Sequence, residues 1–208
     1  MGMENYGKRP ERRADRRVAG FSIIELMIVL LLASAILAIG APSFGDMVRN
    51  NQLTAAANDF LAAAQVARTE AIKRQARVVL CASSTPESAN ATCNNGDYTG
   101  WIAFVDNNGD CLRANNEPLV RSGGPLGSGI ANSSDGTCLA YAGTGFLQIV
   151  AGAPGLTRLI YCDRRGLALQ SGTQMTTARA IQISASGRAQ ITRNPAVIGR
   201  WEMPCSTH

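Results

Sequence analysis

GFSIIELMIVLLLASAILAIGAPSF, residues 20–44, contains a single ionisable side chain, Glu25. Every other residue from Phe21 to Ala41 is apolar or small. About 20 such residues wound as a helix span the hydrocarbon core of a bilayer. A carboxylate at that depth is costly without a partner, so Glu25 reads as a functional residue that awaits a cation. The stretch is preceded by Arg12, Arg13, Arg16 and Arg17, and a glycine marks the junction.

Arg16-Arg17-Val18-Ala19-Gly20 followed by Phe21-Ser22-Ile23-Ile24-Glu25-Leu26 resembles the class III leader of type IV prepilins and type II secretion pseudopilins. The resemblance implies cleavage by a prepilin peptidase between Gly20 and Phe21 and methylation of the new amino terminus at Phe21. It gives Glu25 the role of pairing with the terminal ammonium of a neighbouring subunit as the helices stack. A cation supplied only in the filament offsets the buried acid only there. Two other readings stand beside it. A secretory signal peptide, cut near Ala41, needs a short apolar core without an acid inside it. A plain anchor, held by its arginines on the cytoplasmic side, leaves Glu25 and the Gly-Phe junction unexplained.

Charge is unevenly spread. Residues 1–20 carry six basic side chains against three acidic ones. Residues 158–208 carry seven arginines against Asp163 and Glu202, so a basic tail follows a mildly acidic body. Such asymmetry marks the tail as a candidate interaction surface. All six cysteines, Cys81, Cys93, Cys111, Cys138, Cys162 and Cys205, lie beyond the apolar run. An even count in an exported domain favours disulfides, with buried free thiols as the alternative. Zinc is disfavoured, because no Cys-x-x-Cys occurs and the one histidine is His208. Nearness in sequence favours Cys81–Cys93 and Cys111–Cys138, which leaves Cys162–Cys205.

Beyond the apolar run, Leu53, Ala57, Phe60, Ala64, Ala67 and Ala71 recur at helical spacing, as one stripe of an amphipathic helix. A helix to about Arg74 is therefore expected, interrupted at Gly40, Pro42 and Gly45. Strands are expected at 77–82, 101–105, 118–121, 146–150, 156–162, 178–184 and 188–192, with residues 122–136 a Gly- and Ser-rich loop. The fold class is α+β: a long N-terminal helix, half membrane-spanning and half amphipathic, packed on an antiparallel β-sheet head.

Gly100-Trp101-Ile102-Ala103-Phe104-Val105-Asp106, the Asn-Gly-Asp that follows and Glu117-Pro118-Leu119-Val120-Arg121 resemble the GspH/FimT family of minor pilins and pseudopilins. Tyr161-Cys162-Asp163-Arg164-Arg165-Gly166 and Ile183-Ser184-Ala185-Ser186-Gly187-Arg188 resemble its later segments. The resemblance implies a cleaved leader over 1–20, a transmembrane and assembly helix over 21–48 and a periplasmic head over 49–208. It also implies a single-pass bacterial inner-membrane protein with a cytoplasmic N-terminus, reaching the cell surface in the filament. Other major and minor pilins or pseudopilins are the implied partners, and a bridge like Cys162–Cys205 occurs in the family. FimT-type members bind DNA through a Gly-Arg-x-Arg motif and a basic tail. Here Gly187-Arg188-Ala189-Gln190 keeps the first arginine and replaces the second.

The candidate DNA-binding residues are Arg188, Arg193, Arg200, Arg164 and Arg165. Guanidinium groups hold phosphates bidentately and stay charged at any working pH, so double-stranded DNA would be bound without sequence specificity. The alternative is a solvated surface whose arginines pair with acids of neighbouring subunits. Asp106-x-Asn108-x-Asp110 with Glu117 imitates a calcium loop, but Cys111 stands where a sharp-turn glycine belongs. A metal-free hairpin turn fits better. Gly123 to Gly129 lacks the lysine of a phosphate-binding loop. No nucleophile with a base and no cofactor motif is present, which excludes the common enzyme classes. The reading is a FimT-like minor type IV pilin, or a GspH-like minor pseudopilin of type II secretion.

Overall fold

The computed structural model describes residues 20–205. Its first element, helix α1, runs Ile23–Arg74. The chain forms two compact units, one ending at Phe44 and one starting at Gly45, a turn earlier than the boundary expected from sequence.

In the first unit the described side chains of α1 are apolar all round apart from Glu25 and Ser34. Ile23, Met27, Leu31, Ile36 and Leu37 are each more than half exposed. The Ser34 hydroxyl donates back to the Leu31 carbonyl at 2.8 Å and so hides its polarity. Among the described residues no helix is long and apolar enough to cross a membrane. The run expected to do so continues through Ile39 and residues 41–43, whose side chains lie outside the described residues. The interruption expected at Gly40, Pro42 and Gly45 is not found, and α1 stays helical there. A proline removes only its own donor, so the flanking i to i−4 bonds can carry the helix past it.

In the second unit one face of α1 is the centre of the head. Leu53, Ala57, Phe60, Ala64, Ala67 and Ala71 are all buried, and Ala63 with them. The helix closes with Gln75 at φ 50°, where the Gln75 amide donates to Ile72 and the Ala76 amide to Ala71. This left-handed cap satisfies carbonyls that the helix itself leaves open.

Eight strands follow: β1 Val78–Ala82, β2 Trp101–Val105, β3 Leu119–Gly123, β4 Ala131–Ser134, β5 Cys138–Tyr141, β6 Arg158–Cys162, β7 Arg179–Ile183 and β8 Ala189–Thr192. They make two four-stranded sheets, ordered β3-β2-β1-β5 and β4-β6-β7-β8, with every paired strand antiparallel, as the α+β class expected from sequence requires. A short helix α2, Pro195–Ile198, and a 3-10 turn, Gly199–Trp201, end the described chain.

Strands β1, β2 and β5 read as continuous apolar runs because both of their faces are covered. Val78, Leu80 and Ala82 of β1 and Trp101, Ala103 and Val105 of β2 point to the cluster built on α1. Their alternates Val79, Cys81, Ile102 and Phe104 form a second cluster with Ala91, Cys111 and Cys138. In the other sheet Leu159, Tyr161, Ile181 and Ile183 face α1, whereas Ile160, Cys162 and Ala180 pack under Ile198 and Trp201. The period-2 alternation of a strand produces both layers. These clusters lie wholly beyond Gly45, so the head carries its own core.

Disulfides tie the outer layers down. Cys81 joins Cys93, Cys111 joins Cys138 and Cys162 joins Cys205. Two expected elements differ. Residues 122–136 are not all loop, since Ala131–Ser134 pair with β6. The stretch 146–150 forms only isolated bridges, Tyr141 to Leu147 and Val150 to Ala153. In the first case the partner strand supplies the hydrogen bonds, which local composition does not reveal.

Candidate functional site

At the N-terminal end Gly20 is exposed, Phe21 is 83% exposed and Glu25 sits in the first turn of α1. A carboxylate there complements the positive end of the helix dipole. Residues 1–19 of the leader expected over 1–20 lie outside the described residues.

The five candidate arginines do not converge. Register shows why. Arg158 of β6 faces Gln182 of β7, and Tyr161 faces Arg179. Arg188, in the β7–β8 turn, therefore sits at one end of the second sheet, while Arg164, Arg165 and Arg193 sit at the other. Arg200 follows α2 on the layer behind the sheet, and both it and Arg188 are exposed.

Two of the five are committed inside the molecule. Arg193 donates from Nε to the Thr176 carbonyl at 3.1 Å and from Nη2 to Thr176 and Gln170. Arg165 donates from Nε to both oxygens of Asp163 at 3.0 Å and from Nη2 to Asn50 Oδ1 at 3.0 Å, with Asp46 3.5 Å away. Burial pushes the Asp163 carboxyl up, but hydrogen bonds from the Arg165 side chain and backbone outweigh it and leave the group below its ordinary range. Nearby Arg179 is buried; burial, then Arg193 and Arg165, lower it to about 10. Its Nε donates to Thr54 Oγ1 at 3.2 Å.

Sequence reasoning did not single out Asp46, Arg49 and Asn50, which the fold brings to Asp163 and Arg165. Arg49 Nη2 donates to Asp46 Oδ1 at 2.7 Å. The i, i+3 spacing of that pair, directly after the apolar run, was the available signal. Arg49 and Arg164 line a recess of about 340 Å³ with Gln52, Ser128, Gly129, Ile130 and Asp163.

The calcium-like loop has another use for its acids. Asp106 Oδ1 accepts from the Gly109 amide at 2.6 Å. Glu117 accepts from the amides of Asn107 at 2.8 Å and Ala114 at 2.9 Å, so both buried carboxylates are spent on bracing the β2–β3 turn. The glycine-rich loop is a wall. A Cβ on Gly123 would come within 2.2 Å of the Trp101 ring, and Gly124, Leu126 and Gly127 border a recess of about 290 Å³ beside α1.

Comparison with known proteins gives two family matches. Residues 15–41 match the prokaryotic N-terminal methylation motif, and residues 56–187 match the type II transport protein GspH. No curated protein matches the chain. Two crystal forms of the Pseudomonas aeruginosa type IV minor pilin FimU are similar in structure. One is 19% identical, with 76% of this chain and 96% of that chain covered and a TM-score of 0.46. The other is 18% identical, with 75% and 100% covered and a TM-score of 0.44. With the GspH match spanning well over half of its residues, behind a methylation motif, this chain belongs to the GspH family of pilins and pseudopilins.

Proposed function

We infer that this chain is a minor type IV pilin, a non-enzymatic filament subunit. A prepilin peptidase removes residues 1–20, Phe21 is N-methylated, and the helix beyond it anchors the head on the periplasmic face of the inner membrane. The observation that carries this is the N-terminal part of α1, apolar on every side apart from Glu25. An all-round apolar helix needs an apolar surround, first lipid and then the helices of other pilins. Glu25 then pairs with the methylated terminus of a neighbour. Mass spectrometry of the membrane-extracted chain tests it: the mature protein starts at methylated Phe21, and a start near Pro42 overturns the reading. Presence of the mature chain in sheared surface filaments supports a pilus. Its confinement to a secretion complex, with secretion lost on deletion, supports a GspH-like pseudopilin.

DNA binding during uptake is the finer part of this reading. The exposure of Arg188 and Arg200 supports it, while the internal bonds of Arg165 and Arg193 reduce the number of free phosphate contacts. Unrelated duplexes should therefore bind the head alike and weakly. Arg188→Ala should weaken all of them and lower the salt dependence by about one counterion. Unchanged affinity and salt slope in Arg188→Ala and Arg200→Ala exclude this face.

A further inference from the structure

The β6–β7 connection, residues 163–178, is a hairpin of its own, closed by a bridge from Leu169 to Thr176. It shows solvent an unusual set of side chains: Leu167 is 36%, Leu169 60% and Met175 50% exposed, with Arg164 exposed at its base. Arg165 fastens one side of the hairpin base to Asn50 and Asp46, and Arg179 fastens the other side to Thr54. The base is therefore held against the first turns of α1 within the head, where Met47 is another exposed apolar residue at 60%.

We propose that this hairpin is a second membrane contact, an interfacial foot that seats the head on anionic phospholipid. Three observations choose that occupant. The recess at the hairpin base is lined by Arg49 and Arg164 and by one acid, Asp163, which Arg165 already holds, so the open face favours an anion. Leu167, Leu169 and Met175 share the hairpin with Arg164, whose guanidinium has no hydrogen-bond partner among the described residues. The set matches a surface that offers phosphate and hydrocarbon at successive depths, which a nucleic-acid backbone does not. Chain length does the rest. Residues 46–50 follow the apolar run directly in sequence, so a run anchored in lipid leaves this end of the head only a few residues of chain from the lipid surface.

The foot rests on the membrane anchoring proposed above, and the test separates the two. The head, residues 45–208, contains the whole core and all three disulfides, so it is used alone with phospholipid vesicles. It should co-sediment with vesicles containing phosphatidylglycerol and not with pure phosphatidylcholine. Arg164→Ala and Leu169→Ser should each weaken binding about fivefold, the effect of one interfacial contact, whereas Leu112→Ser, exposed elsewhere at 59%, should not. Leu169→Trp should shift its emission to the blue on the anionic vesicles, and Leu112→Trp should not. A head that ignores both vesicles, or variants that bind like the parent, overturns the foot. So does a duplex whose binding, unlike that of the vesicles, falls in Arg164→Ala. Release of the full chain from membranes by alkaline carbonate instead overturns the anchor.

Discussion

Arg165 and Asn50, 115 positions apart in the chain, meet at 3.0 Å across the junction of the hairpin and the helix. The same guanidinium holds the buried Asp163, and Asp46 completes the group. Its neighbour Arg164 points to solvent.

The two adjacent arginines should therefore behave oppositely in unfolding experiments. Arg165→Ala strands a buried carboxylate and should cost the head about 2–4 kcal/mol in urea denaturation. Arg164→Ala should stay within about 0.5 kcal/mol of the parent. Equal losses would show that Arg165 is as solvated as Arg164.

Acid should weaken the head through Asp163 and Asp135. Burial raises both carboxyls, but hydrogen bonds outweigh it, from Arg165 on Asp163 and from Thr157 and Arg158 on Asp135, so both end below their ordinary values. A group lowered in the folded state adds stability above its unfolded pKa and loses it as pH falls through the folded one. The urea midpoint should hold from pH 7 to about 5 and fall below about pH 4. Asp163→Asn should lower the plateau and flatten that fall.

The Cys162–Cys205 bridge closes 43 residues and holds Trp201 and Met203 against the second sheet. Cys205→Ser should destabilise the head by about 2–4 kcal/mol by the loop-entropy argument. Hydrogen exchange should speed up first over 195–205. Uniform acceleration across all eight strands would mean that the tail is integral to the core.

Assembly should depend on Glu25 and insertion should not. Glu25→Ala removes the one acid from an apolar run, so the chain should stay in the membrane fraction while its incorporation into filaments falls at least tenfold. Wild-type incorporation by Glu25→Ala would dismiss the pairing.

Periodic features were readable in advance. The stripe from Leu53 to Ala71 announces the face of α1 that the head buries, and the runs 78–82 and 101–105 announce two central strands. Strand β4 was not readable. Asn132, Ser133 and Ser134 have no strand propensity, and their pairing with Tyr161, Ile160 and Leu159 supplies what propensity lacks. The short α2 did carry a local sign, Asn194 capping the Ala196 amide with Pro195 at the first helical position, and it went unread. The candidate site was the least legible part. Composition does not separate Arg164 from Arg165: the turn at Asp163, whose carboxylate accepts from the Arg165 amide and side chain, and the tertiary position of Asn50 decide which of them is occupied.

The bridge that returns Cys205 to β6 also decides where a reporter can be attached. The Cys205 carbonyl oxygen lies 3.1 Å from where a Cβ on Gly166 would stand, so a fluorophore or affinity tag fused after it would emerge beside the hairpin base and compete with whatever docks there. The turn at Gly152 has open space around it, next to Ile149 at 92% exposure. A short epitope inserted in that turn would leave the chain terminus untouched and make the head visible on intact cells.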